Sequence, residues 1–239
     1  MLTFFRRIRK TLLVEGSAYK YLLYAVGEIL LVMVGILLAL QVNNWNEERK
    51  EAQFERKMYE ELMISIERSI EQLSQGISYS QRVVRSCQII LDHFNQDLPY
   101  QDSLDKHFAI SLRWWHPSLG NQAYESLKNH YGLHILKNDS IRNQLGSLTE
   151  TEWMEYLITQ QEDYFASAIA PNLIDWFKEY SVEREMEPYD YNELKNSRKY
   201  NHILRTSLGM RLRQIRWYEG TVRGREHTIE MIKSELDKT

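Results

Sequence analysis

One cysteine, Cys87, in 239 residues leaves no internal disulfide framework. The catalytic signatures that short motifs reveal are missing too. There is no G-x-S-x-G elbow, no phosphate-cradling glycine loop, no H-E-x-x-H and no C-x-x-C. No stretch alternates apolar and polar residues long enough to make a convincing strand. Prolines number only 4, and they sit at or beyond the ends of helical periodicity: Pro99, Pro117, Pro171 and Pro188. These gaps point to an all-α chain and give no ground for naming catalytic, cofactor-binding or metal-binding residues.

What is present is a long apolar run. Between Tyr21 and Val42 the clearly polar residues are Glu28 and Gln41, while the mean hydropathy of the whole chain is negative. A bilayer core of about 30 Å needs roughly 20 apolar residues, and this run supplies 22. A cleaved signal peptide fits less well, because its apolar region runs to only about 7–15 residues. This run also ends in Leu38-Ala39-Leu40-Gln41, with no small-x-small cleavage site. The expectation is a transmembrane helix over residues 21–42.

Charge sets the orientation. Arg6, Arg7, Arg9, Lys10 and Lys20 precede the run against Glu15 alone, and Glu47, Glu48, Arg49, Lys50 and Glu51 follow it. The positive-inside bias places residues 1–20, a basic amphipathic segment, in the cytoplasm and residues 43–239 outside it, in the periplasm if the cell is Gram-negative. Residues 1–42 take 5 of the 30 basic and 2 of the 33 acidic residues, leaving 25 against 31, net −6. An acidic exported part argues against a nucleic-acid partner. The bilayer itself is the expected partner, with Arg6, Arg7, Arg9, Lys10 and Trp45 as interfacial anchors.

At 100° per residue, Glu28, Gly35, Ala39, Val42 and Asn46 share one stripe of the span, with Gly27 and Tyr24 at its edge. Small residues let helices approach closely in lipid, and a polar side chain on the same face gains a partner there. Gly27, Glu28, Gly35, Ala39 and Asn46 are therefore the expected packing face, between copies of the chain or against a multi-span partner. Two other readings of Glu28 stand beside this one: a carboxyl tolerated near the boundary by a bond to a neighbouring helix, and an ion or proton site. Burying its charged form unpaired costs at least about 3 kcal/mol.

Beyond the span, Tyr59, Met63, Ile66, Ile70, Leu73, Ile77, Ser80, Val84, Cys87, Leu91 and Phe94 alternate at four and three residues. Five such heptads predict a long helix over about 46–95, continuous with the span and stopped by Leu98-Pro99. Cys87 occupies the seam, where a buried structural thiol is expected rather than a reactive one. Leu208, Leu212, Ile215, Tyr218, Val222, Ile229, Ile232 and Leu236 predict a second long helix over about 197–237, with Arg225 interrupting its stripe. The simplest packing of the two is antiparallel. A third long helix is expected over about 140–170, capped by Asn138-Asp139-Ser140, with shorter pieces at Asp102–Trp115 and Asn121–Tyr131, the latter ended by Gly132. Pro171 fits the first turn of a further helix.

The segment KYLLYAVGEILLVMVGILLALQVNNWNEERK, after FFRRIRK, resembles the N-terminal signature of a family of uncharacterised bacterial single-pass inner-membrane proteins. YESLKNHYGLHILKNDSIRNQL, Tyr124 to Leu145, resembles the central motif of the same family. The resemblance implies a single-span topology and a bacterial source, and it transfers no catalytic residue.

Three weaker signals complete the reading. His130 and His134 are four apart, as metal ligands on one helix face would be, but Gly132 between them ends the helix. Trp114-Trp115-His116-Pro117 and the stretch from Asn121 to Glu125 suit core packing better than a ligand pocket at the bundle tip. Arg205, Arg211, Arg213, Arg216, Arg223 and Arg225 are expected to pair with Glu55, Glu60, Glu61, Glu67 and Glu71 across the two long helices; an anionic ligand is the sharper alternative. The function these features imply is a non-enzymatic, membrane-anchored interaction, scaffold or sensor module that self-associates through its span. The alternative is an ion-coupled accessory subunit of a larger membrane complex using Glu28.

Overall fold

The computed structural model describes residues 18–119, 122–148, 152–179 and 185–238. Its element order is α1 (Ala18–Asn95), a 3₁₀ turn (Asp102–Leu104), α2 (Asp105–Ser111), α3 (Gln122–Ser126), α4 (Asp139–Leu148), α5 (Glu152–Tyr164), α6 (Ala170–Trp176), α7 (Tyr191–Asn196) and α8 (Arg198–Leu236). The only β-type pairing among the described residues is an isolated bridge between Phe177 and Pro188. The chain divides into two compact units, Met1–Phe54 and Glu55–Thr239.

In the first unit the described residues are helical from Ala18, and the aliphatic side chains stay uncovered. Leu31 is 70% exposed and Leu37 61%. An apolar surface of this length, left uncovered by the described residues, is the kind that lipid or another protein surface covers.

In the second unit α1 and α8 lie antiparallel. Ser69 meets Arg225, Ser80 meets Gln214 and Phe94 meets Tyr200, so that partners on α8 step back as far as positions on α1 step forward. One end of this pair closes around Tyr200, which is fully buried with Phe94, Phe108, Trp176 and Phe177 at ring-centroid distances of 5.1 to 6.3 Å. Cys87 is fully buried in the same cluster, where burial pushes its thiol up to about 12.

The element ends follow local chemistry. Asn138 Oδ1 accepts from the backbone N–H groups of Ser140 and Ile141, opening α4, and Ser197 Oγ accepts from the N–H of Tyr200, opening α8. Gly132 has φ +84°, a conformation open to glycine, and it closes a π turn over Leu127–Tyr131. The expected third helix over 140–170 is described in parts. Downstream of α5 the chain widens into a π turn over Phe165–Ile169, next to Pro171, whose missing N–H leaves the carbonyl four residues back without its usual donor.

The buried faces differ from the apolar stripes. On α1 the centre of the seam is Leu62, Ser69, Gly76, Val83 and Ile90, alternating with Tyr59, Ile66, Leu73, Ser80 and Cys87, whereas Met63, Ile70 and Ile77 are half-buried. On α8 the buried positions include Arg211, Gln214 and Arg225, while Leu212 is 39% exposed.

A buried polar layer and the candidate functional site

Midway along the α1/α8 pair the apolar core is interrupted by hydrogen-bonded polar groups. Arg211, 5% exposed, donates from Nη1 to Gln161 Oε1 at 2.9 Å and to Gln214 Oε1 at 2.7 Å, and from Nη2 to the Arg113 carbonyl at 2.6 Å. Gln214 donates in turn from Nε2 to the Tyr218 hydroxyl at 2.6 Å and lies 3.2 Å from His116 Nδ1. With Nδ1 accepting, the imidazole proton sits on Nε2. Ser80 Oγ reaches Gln214 Oε1 at 3.4 Å, tying α1 into the layer. All the partners of the Arg211 guanidinium are neutral, so its charge is stabilised by dipoles. Burial pulls its pKa below the usual arginine range.

Tyr218 fits because residue 76 is a glycine. A Cβ there would stand 2.9 Å from Tyr218 Cε2 and 3.5 Å from the Pro117 ring. Pro117 and His116 thus belong to this layer, while Trp114 packs edge-on to Phe165 at 4.1 Å and Trp115 faces Tyr79 at 5.9 Å. These aromatic residues are packing, and Asn121 lies outside the described residues.

Burial, followed by the nearby Arg211 charge, lowers the His116 pKa from 6.5 to about 4. Because the folded value lies below the unfolded one, the unfolded chain binds the extra proton between those values. Stability contributed by neutral His116 is therefore complete above pH 6.5 and is lost as pH falls toward 4. After discounting for the half-buried ring, the loss is about 2 kcal/mol. Denaturant titrations of the solubilised chain, followed by tryptophan fluorescence at pH 7 and pH 4.5, are expected to show this slope, and His116→Gln to flatten it. An unchanged slope in the variant would assign the acid sensitivity to other groups.

A second buried cation lies further along α8. Arg225, 3% exposed, donates from Nε to Ser69 Oγ at 2.8 Å and makes a long bond from Nη2 to the Leu148 carbonyl at 3.4 Å. Burial alone lowers its pKa to about 10, which leaves it charged at neutral pH. Beside it opens a cavity of about 880 Å³ between α4, α5 and α8.

The expected pairing of the α8 arginines with the α1 glutamates is not found among the described residues. Among the described residues the ion pairs of that part of α1 run along the helix itself, Arg56 to Glu60 and Lys57 to Glu61. Glu55 accepts from the Lys137 backbone N–H at 2.7 Å. Two of the arginines, Arg211 and Arg225, point instead into the bundle, where neutral acceptors hold them.

The residues expected on the span fall on α1. Gly27, Gly35, Ala39 and Asn46 are exposed and Glu28 is half-buried. A Cβ at Gly27 or Gly35 would meet nothing within 4 Å, so neither glycine is required by packing among the described residues. Trp45 is exposed, whereas Arg6, Arg7, Arg9 and Lys10 lie outside the described residues. His130 belongs to the π turn and His134 to a 3₁₀ turn beyond Gly132, and the described residues hold no group of three or more His, Cys, Asp or Glu side chains able to ligate a metal. No family model, curated protein or solved structure matches the chain.

Proposed function

We propose that this chain is a membrane-anchored, non-enzymatic helical module of a bacterial inner membrane, serving in interaction, scaffolding or sensing and associating with itself through its span. The observation that carries the reading is the uncovered aliphatic surface of α1 from Leu22 to Val42, which finds no cover among the described residues. The basic residues ahead of it and the acidic ones after it support a cytoplasmic N-terminus and an exported bundle. The resemblance of residues 4–50 to the single-pass family supports the same placement.

Self-association rests on the stripe of Gly35, Ala39 and Asn46 with Glu28 on the same face, where a carboxyl in lipid gains most from a partner helix. A photoreactive residue at Gly35, crosslinked in native membranes and identified by mass spectrometry, tests this. Capture of copies of the chain is the expected result. Capture of a distinct multi-span protein instead would replace self-association by the accessory-subunit reading, in which Glu28 serves ion coupling and Glu28→Gln abolishes the activity of the complex.

A further inference from the structure

The cavity beside α8 has an uneven chemical lining. Trp153, Tyr156 and Trp217 supply aromatic walls, Leu148 an aliphatic one, and Gly224 and Arg225 the α8 side. Trp153 and Tyr156 stack on each other, with ring centroids 5.3 Å apart and planes 20° from parallel, and each is about half exposed. A pair of large rings held open to solvent leaves apolar surface that a flat molecule can cover. No aspartate or glutamate lines the cavity among the described residues.

Arg225 supplies the charge. A guanidinium has five N–H donors, and the bonds Arg225 makes are to Ser69 and, weakly, to Leu148. Arg211 makes three shorter bonds to neutral acceptors. Arg225 thus has fewer and weaker acceptors than Arg211, it lines the cavity, and no carboxylate meets its spare donors among the described residues. Taking a cation out of water without a counter-charge is unfavourable by several kcal/mol. A carboxylate accepts two parallel N–H bonds from a guanidinium and is the matching counter-charge. The volume of about 880 Å³ suits a small organic molecule and exceeds what a bare inorganic ion would fill.

We infer that this cavity is a binding site for an organic anion with a flat aromatic or alicyclic body, its carboxylate held by Arg225 and its ring laid against Trp153, Tyr156 and Trp217. The site is independent of how the span associates. It gives the exported bundle a ligand, which a scaffold alone would not have.

The probe is 2-naphthoate, with 2-naphthamide as its uncharged match, titrated calorimetrically into the full chain in nanodiscs against empty nanodiscs. The wild-type chain is expected to bind one naphthoate, at least about tenfold more tightly than the amide. Arg225→Gln removes that preference and brings the two affinities together. Gly224→Trp is the second variant. A Cβ at Gly224 meets nothing within 4 Å, so the indole enters the cavity without disturbing the helix, and naphthoate binding is lost while the helical signal is kept. Absence of naphthoate binding to the wild type, equal binding of acid and amide, or undiminished binding in Gly224→Trp would each overturn the site. Because Gly224→Trp leaves Arg225 in place, the test stands even if Arg225→Gln fails to fold.

Discussion

With Val34→Arg and Leu37→Arg together, the chain is expected to leave the membrane fraction. Both side chains are more than half exposed on α1 and neither belongs to the core cluster of the bundle, so the substitutions act on the surroundings of the helix and spare the packing. An arginine near the centre of a spanning helix opposes insertion by about 2.5–3.5 kcal/mol, and two oppose it by about 6 kcal/mol. That is enough to reverse a partition that a run of leucine, valine and isoleucine favours by a few tenths of a kcal/mol each. The measurement is the fraction of protein retained in membranes after alkaline carbonate extraction. Near-complete retention is expected for the wild-type chain and near-complete loss for the double variant. Equal retention would mean that the run lies on something other than lipid hydrocarbon.

Tyr200→Ala is expected to destabilise the helical bundle by about 4 kcal/mol. The ring is fully buried and joins α8 to Phe94 on α1, Phe108 on α2 and Trp176 and Phe177 at the end of α6. Removing it opens a cavity with aromatic rings on several sides, and collapse there would require several helices to move together. Domain stabilities are only about 5–15 kcal/mol, so a loss of this size shifts the denaturation midpoint strongly or abolishes folding at growth temperature. Denaturant unfolding followed by circular dichroism measures it. A loss below about 1 kcal/mol would show that the cluster repacks freely, contrary to the close contacts around Tyr200.

The all-α class was legible because nothing in the chain competes with it: the prolines fall at element ends, strand alternation is missing, and seven-residue spacing runs through α1. The antiparallel pairing of α1 with α8 was also reachable, since two long stripes of similar length have few other ways to cover each other. The register was not. Ser69 and Gly76 stand at the centre of the α1 seam because their partners on α8, Arg225 and Tyr218, are large. A reading by apolarity passes over both and selects Met63, Ile70 and Ile77 beside them. The same rule discards Arg211 and Gln214 and favours Leu212, because hydrogen bonding by distant residues such as Gln161 and the Arg113 carbonyl cannot be seen from a stripe. Arg225 did leave a trace, as a charge where the α8 periodicity calls for an apolar residue. The cavity beside it depends on where α4 and α5 come to lie, and no local pattern encodes that.

The placement of the chain across a membrane, on which the proposed function stands, is tested most directly by cysteine labelling in spheroplasts with a membrane-impermeant maleimide. The background is Cys87→Ser, with one cysteine returned either at Lys20 or at Glu51, on either side of the apolar run. The account predicts that the cysteine at 51 is labelled in intact spheroplasts and the cysteine at 20 only after the membrane is opened. Equal labelling of both before opening would place the whole chain on one side of the membrane and contradict it.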